Sequence, residues 1–354
     1  MEKTNTRFES IGVYLPEKVV TTQELIDRME YKPQFDLVDL TGVKERRWRA
    51  ENEDSQTLAI KAAQRCLGNS QYEAKDLDVI ISCSITRFKN TFFQMEPAFS
   101  KAIKNTLGLR ATAVNFDIAN ACAGMMTGAY VLNSMIKSGA AKTGMVVSGE
   151  CITPITETAV KEICEIIDPQ FASLTVGDSG AACILDKAAN GNEGIETFEL
   201  FCMPEFSELC FGMPSEYNNG VAMYTDAISI HKQVIDRMPT MMPYYLEKLG
   251  MCADDFDFVI PHQTSSRAIK TAMDLCIPLF RKGPSDYFPE VLVSLDRYGN
   301  TSSTSHFVVL HDYLERGKIK PGAHIFFIVM ASGIILGIVP VTLGNLEVNK
   351  WAQP

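Results

Sequence analysis

Asp76-Leu-Asp-Val-Ile-Ile-Ser82 and Asp255-Phe-Asp-Phe-Val-Ile260 share one pattern: two acidic residues one apart, then a run of apolar side chains. Each run follows a helical pattern, residues 58–67 in the first case and 242–249 in the second. The echo continues downstream. Residues 122–138 are patterned as a helix closed by Gly139, and Lys142-Thr-Gly-Met-Val-Val-Ser148 as a strand. In the other half residues 304–316 form the helix, Gly317 closes it, and Pro321-Gly-Ala-His-Ile-Phe-Phe-Ile-Val329 contains the strand. A glycine just past a helix supplies the left-handed cap. A strand that is apolar without alternation belongs to a sheet covered on both faces. Two alternating strand–helix series imply a duplicated α/β fold with mostly parallel sheets and helices between and outside them.

Ala188-Ala-Asn-Gly-Asn-Glu-Gly194 is patterned as the turn between the halves. The chain therefore divides into residues 1–187 and residues 188–354. Residues 201–219, rich in Met, Pro and Gly, show no period. They are either a loop over a pocket or an irregular surface segment.

The 354 residues are 46% hydrophobic, enough for a sizeable core, and the formal charge is −10. That charge argues against nucleic acid as a partner. Residues 1–9 are polar, with no apolar stretch behind a basic start, so no signal peptide and a cytoplasmic location are expected. The longest apolar run, residues 325–339, is broken by Ser332, Gly333 and Gly337 and is too short to span a membrane. The ten cysteines are irregularly spaced and the five histidines do not cluster with them. Reduced thiols and no metal site are expected.

Three motifs carry chemistry. Asn120-Ala-Cys-Ala-Gly-Met126 lies between a strand pattern and an apolar helix. A cysteine at a helix N-terminus has its thiolate stabilised, and the small neighbours leave room for a substrate carbonyl. Pro261-His-Gln-Thr-Ser-Ser-Arg267 follows a buried strand, and Tyr298-Gly-Asn-Thr-Ser-Ser303 follows the strand pattern Val291-Leu-Val-Ser294. Open α/β sheets place ligands at the carboxyl ends of their strands, so Cys122, His262 and Asn300 are expected on one edge.

These motifs resemble those of the thiolase superfamily, and within it the β-ketoacyl-acyl carrier protein synthase III branch. Val176-Gly-Asp-Ser-Gly-Ala181 matches a further turn of that family, and the likeness runs along nearly the whole chain. The resemblance implies a five-layer αβαβα fold with two mostly parallel mixed sheets, and a homodimer. It implies an acyltransferase that condenses two acyl thioesters through an acyl group on Cys122. Backbone N–H groups of Cys122 and Gly333 form the oxyanion hole, while His262 and Asn300 hold the carbonyl of the second substrate. It implies no tightly bound cofactor. Substrates ride on phosphopantetheine, from acyl carrier protein or coenzyme A, with Arg267 toward the carrier or its phosphate. The family's adenine-stacking Trp and a nearby Arg are replaced here by Asp36 and Leu40, which favours carrier-protein substrates.

Glu96, in Phe93-Gln-Met-Glu-Pro97, falls 26 residues before Cys122. In the family this loop reaches into the partner's acyl pocket. Relatives that condense two long acyl thioesters, or form pyrones, carry Glu there, where it acts as a general base. A specialised product such as a dialkylresorcinol, stilbene or pyrone scaffold is therefore expected. The alternatives are malonyl-dependent initiation of fatty-acid synthesis, or acyl transfer to an alcohol or amine. Glu150 is a second carboxylate expected near the site. The methionines at 203, 213, 223, 238, 241 and 242 either line an acyl tunnel or fill core.

Overall fold

The computed structural model describes residues 5–348 apart from 91, 166, 190, 192, 218 and 281–286, with backbone alone for 276–280. Residues 1–4 and two residues of the 188–194 turn, Asn190 and Asn192, lie outside the described residues.

Eleven strands form the main sheet: β1 (Thr6–Tyr14), β2 (Val79–Ser82), β3 (Val114–Asp117), β4 (Gly144–Glu150), β5 (Ser179–Lys187), β6 (Gly194–Ile195), β7 (Glu199–Cys202), β8 (Phe258–Pro261), β9 (Glu290–Val291), β10 (His324–Ala331) and β11 (Ile335–Thr342). The order is β9-β8-β10-β11-β6-β1-β5-β4-β2-β3, with β7 also on β11. On one side β3, β2 and β4 are parallel, and β5 and β1 follow antiparallel. On the other side β9, β8 and β10 are parallel, and β11 and β7 follow antiparallel. Among the described residues the two series meet through the two-residue β6, which pairs with β1 at Thr6 and with β11.

The acidic echo has a mechanical cause. Asp76 and Asp255 each close a short 3-10 turn by accepting a backbone N–H, from Glu73 at 2.9 Å and from Cys252 at 2.6 Å. Asp78 and Asp257 each clasp the chain entering the neighbouring parallel strand. Asp78 accepts from Lys142 N at 2.6 Å, and Asp257 from His324 N at 2.8 Å. One acid shapes the turn and the next sets strand register, so both halves need the same spacing.

Six of the helices cover the sheet or form its core: α1 (Ser55–Gly68), α2 (Phe99–Leu107), α3 (Gly124–Lys137), α4 (Ala227–Leu249), α5 (Ser266–Phe280) and α6 (Ser305–Glu315). Asp54 and Thr57 form a capping box for α1. One core joins α3 (Met125, Met126, Ala129) to α6 (Phe307, Val308, Leu310) and includes strand residues from both halves, such as Ile81 and Ile260. A second covers the outside of the first half with α1 and α2, and a third covers the second half with α4 and α5. The layers are thus αβαβα. Gly139 and Gly317 follow α3 and α6 with φ of 78° and 66°, as the sequence pattern predicts.

Three elements differ from expectation. Helix α4 begins well before residue 242, because Pro239 and Pro243 lie inside it and mask its period. The strand expected over 291–294 is only Glu290–Val291, followed by a one-turn helix, Leu295–Tyr298. Residues 201–219 are neither loop nor irregular throughout. Cys210–Pro214 pairs with Val221–Thr225 in a hairpin, whose Met223 packs on Ile152, Ile155 and Val176.

Candidate active site

Cys122 sits in a 3-10 turn, Ala121–Ala123, between β3 and α3. Ala121 adopts φ of 46°, a left-handed conformation that costs energy without glycine. That bend presents the half-buried sulfur toward Ser302 Oγ, 3.9 Å away. Ser302 is itself left-handed, with φ of 58°. The first turn of α3 packs tightly beneath. A Cβ on Gly124 would lie 2.8 Å from the Cys83 carbonyl oxygen and 3.5 Å from Ser303 Cβ. Burial pushes the Cys122 thiol up to about 12, with Cys210 nearby acting the same way and Ser302 opposing. The helix N-terminus expected to lower it contributes about 0.3–1 kcal/mol, less than tenfold in acidity, so burial wins.

Asn300 does not follow a strand directly, since the Leu295–Tyr298 turn of helix intervenes; it is held by a close fit of two turns. Its N–H donates to Thr175 O at 2.9 Å, and its carbonyl accepts from Gly177 N at 3.0 Å. A Cβ on Gly177 would lie 2.3 Å from Tyr298 O, and one on Gly299 2.4 Å from Thr175 O. Arg46, fully buried, packs its Cβ beside both glycines and donates to Leu174 O, Val20 O and Thr22 Oγ1. The Asn300 side-chain oxygen accepts from Ser302 N at 2.9 Å, which leaves Nδ2 as the end that can donate outward.

His262 directly follows β8 and is 2% exposed. Its backbone N–H donates to Ile328 O on β10 at 3.0 Å. The Nδ1 atom is buried without a hydrogen-bond partner among the described residues. His306, on the first turn of α6, stands 5.9 Å from the His262 ring and bonds the same Ile328 oxygen through Nε2 at 2.9 Å. Burial pushes His262 down to about 3, with His306 adding to the effect.

The structure thus brings the Cys122 turn into contact with the Asn300 loop. It anchors His262 to α6, the helix that leaves that loop. Among the described residues no hydrogen bond joins the sulfur directly to His262 or Asn300. Gly333 occupies the turn between β10 and β11 with φ of 83°, and a Cβ there would meet nothing within 4 Å. Glu150 ends β4 fully buried. It accepts from Ile85 N, Thr86 N, Thr86 Oγ1 and Ser148 Oγ at 3.0–3.2 Å, and from Ser303 Oγ at 2.5 Å. Burial raises its pKa against those hydrogen bonds. It ties the Asn300 loop to the segment after β2. Asp178, of the matched Gly-Asp turn, accepts from Arg49 N, Ile152 N and Thr153 and is pushed up to about 6 by burial.

Two expected residues lie elsewhere on the surface. Arg267 is exposed at the start of α5, where Ser266 lies against Gly42 at the end of the Leu37–Thr41 helix. Asp36 caps that helix by accepting from Asp39 N, and Leu40 is 37% exposed on it. Glu96 is exposed in the loop before α2. It is flanked by Phe92 and Met95, 76% and 78% exposed, and makes no hydrogen bond or ion pair with Cys122, His262 or Asn300 among the described residues. Ser302, Ser303 and His306 escaped the sequence reading. They stand inside or just after the Asn300 motif, but a hydroxyl or imidazole at those positions has no periodicity to mark it. Among the described residues no group of His, Cys, Asp and Glu is arranged to hold a metal ion, and no helix is long and apolar enough to cross a membrane.

Residues 116–203 match the family 3-oxoacyl-[acyl-carrier-protein] synthase III, and residues 246–343 match its C-terminal part. The chain is 28% identical over 334 residues to a β-ketoacyl-[acyl-carrier-protein] synthase III of Oceanobacillus iheyensis, covering 94% of this chain and 97% of the relative. The 3-oxoacyl-[acyl-carrier-protein] synthase III of Aquifex aeolicus superposes with a TM-score of 0.78 at 25% identity, over 95% and 99% of the two chains. OleA of Xanthomonas campestris, solved with bound lauric acid and lauroyl-CoA, superposes with a TM-score of 0.82 at 20% identity, over 96% and 99%.

Proposed function

The chain belongs to the thiolase superfamily as a ketosynthase of the β-ketoacyl-[acyl-carrier-protein] synthase III type, a condensing acyltransferase, and from that premise we propose that Cys122 carries the acyl group that is condensed. Cys122 Sγ attacks the carbonyl of an acyl thioester. The new carbon–sulfur bond forms first and puts charge on the carbonyl oxygen; the old bond breaks as the carbonyl re-forms, and the thiol proton leaves with the departing pantetheine thiol. Because burial disfavours the thiolate, ionisation and attack are coupled rather than sequential. Backbone N–H groups of Cys122 and Gly333 receive the oxyanion. A donor of this kind contributes about 3 kcal/mol.

In the second half-reaction the Asn300 Nδ2 and the neutral His262 imidazole donate to the thioester oxygen of the second substrate as its α-carbon gains carbanion character. That carbon attacks the acyl group, and the carbon–sulfur bond to Cys122 breaks. The sulfur takes up a proton as it departs, from the group that removed the α-proton or from water where CO₂ is lost, which restores the thiol. One observation carries the reading. Ser302 touches the Cys122 sulfur through its hydroxyl and the Asn300 oxygen through its N–H, so nucleophile and enolate-binding amide share one strained residue.

Glu96 supplies the base in the specialised branch we favour. It removes an α-proton from a second acyl chain in the partner's site, leading to β-keto, pyrone or dialkyl ring products. Its apolar neighbours Phe92, Phe93 and Met95 support insertion of that loop into an acyl pocket rather than exposure to water. Substrates arrive on phosphopantetheine in the cytoplasm, with the exposed Arg267 meeting an acidic carrier protein or a phosphate. The test is intact-protein mass after incubation with an acyl thioester, followed by product analysis with paired acyl thioesters, with and without malonyl thioester. An acyl adduct lost in Cys122→Ala is expected; an adduct that persists there refutes the nucleophile. A β-keto product only when malonyl thioester is present would assign the enzyme to fatty-acid initiation and remove Glu96 as base.

A further inference from the structure

His306 lies behind the imidazole that the condensation step uses, and the mechanism above gives it no task. It is fully buried on the first turn of α6, and its ring meets His262 at 5.9 Å with a 33° tilt. Its Nε2 lies 2.9 Å from the carbonyl oxygen of Ile328. A carbonyl only accepts, so the His306 proton is on Nε2 and a lone pair is on its Nδ1. The same oxygen takes the backbone N–H of His262 at 3.0 Å. One carbonyl on β10 therefore sets the backbone of one histidine and the ring of the other. Phe327 packs edge-on to His306 at 6.1 Å.

Among the described residues the Nδ1 atoms of both rings are buried without a partner. A proton on His262 Nδ1 would bury an N–H donor with no acceptor, which is the costlier way to leave a polar atom unpaired. The proton therefore belongs on Nε2. Burial acts in the same direction on both rings, His262 falling to about 3 and His306 to about 4, so neither is charged near neutral pH. We propose that His306 is a positioning residue: it seals the Nδ1 side of His262 and fixes that imidazole as the neutral Nε2–H tautomer, with its donor aimed at the thioester oxygen of the second substrate. Its own donor is spent on Ile328, so it offers His262 no proton.

The proposal rests on the reading that His262 serves condensation, and the two are tested separately. The whole protein, labelled with nitrogen-15 histidine, reports the tautomer of each ring by long-range proton–nitrogen correlation. Wild type is expected to show His262 as Nε2–H. His306→Leu is expected to show a tautomer mixture, as water reaches Nδ1. His306→Gln keeps an N–H for Ile328 and is expected to restore much of the wild-type state. In single-turnover assays, condensation of preformed acyl-enzyme should fall by about tenfold or more in His306→Leu, while acylation of Cys122 stays within about twofold. An Nδ1–H tautomer in wild type, a tautomer indifferent to both substitutions, or equal loss of both half-reactions overturns the proposal. A shifted tautomer with condensation intact upholds the proposal and sinks the role given to His262. Should His306→Leu fail to fold, the wild-type spectrum and His306→Gln still decide.

Discussion

At the scale of single residues, burial governs the ionisable groups of the site more than neighbouring charge does. His262, His306 and His311 are all held neutral by burial, at about 3, 4 and 4. Their ordinary value is near 6.5, so below that pH the unfolded chain binds three protons that the native chain refuses. Stability from these rings is complete above pH 6.5 and is lost as pH falls. By pH 5 each costs about 2 kcal/mol. Asp178, pushed up to about 6, works in the opposite sense, because the native carboxyl takes a proton first. Its gain by pH 5 is about 1 kcal/mol, and Glu150, also raised, adds in the same direction. Three imidazoles outweigh two carboxyls. Urea unfolding at fixed temperature should therefore show a clear fall in midpoint between pH 7 and pH 5; a flat or rising midpoint would mean that the rings are solvated. None of this was legible from the sequence. His262 stood out because it follows a strand in a known motif. His306 and His311 look like ordinary polar positions until packing encloses them.

At the scale of elements, the sequence revealed what repeats and hid what is irregular. The Asp-x-Asp echo was readable because both halves must clasp a neighbouring parallel strand with the same acid at the same spacing. The glycines after α3 and α6 were readable because a left-handed cap restricts residue choice. By contrast, α4 was cut short by Pro239 and Pro243, whose usual meaning is a helix end. The Cys210–Pro214 hairpin was missed because its strands hold Pro and Gly and lack alternation. The Asn300 loop depends on an element no pattern announces. Gly299 has φ of 64° and ψ of −162°, a region essentially reserved for glycine. A Cβ would also lie 2.4 Å from Thr175 O. Gly299→Ala is accordingly expected to destabilise the protein by at least about 1–3 kcal/mol from backbone strain alone. It should slow condensation more than Cys122 acylation, because it shifts Asn300 before it shifts the sulfur. Chemical denaturation and single-turnover mass spectrometry measure the two effects. A variant of wild-type stability would show that the loop has room this packing denies.

At the scale of the whole molecule, the duplication explains how one site draws on distant stretches of chain. Within each half the parallel strands end on one side: β3 leads to the Cys122 turn, β8 to His262, and the chain after β9 to the Asn300 loop, which packs against the Cys122 turn. Glu96 is the exception. It was picked out by family likeness, and within its own chain it stands exposed beside three exposed apolar side chains. A carboxylate so placed does chemistry only if another copy buries it. In a twofold dimer each site would then combine Cys122 of one chain with Glu96 of the other. Cys122→Ala and Glu96→Gln should each abolish the non-decarboxylative reaction alone. Co-expressed in equal amounts, about half of the dimers are mixed, and each mixed dimer holds one site with both wild-type groups, so about a quarter of the wild-type activity should return. Were Glu96 to act within its own chain, no mixed dimer would hold a complete site and activity would stay at zero. Light scattering that finds only monomer would leave the loop with no pocket to enter, and the base would have to be sought elsewhere.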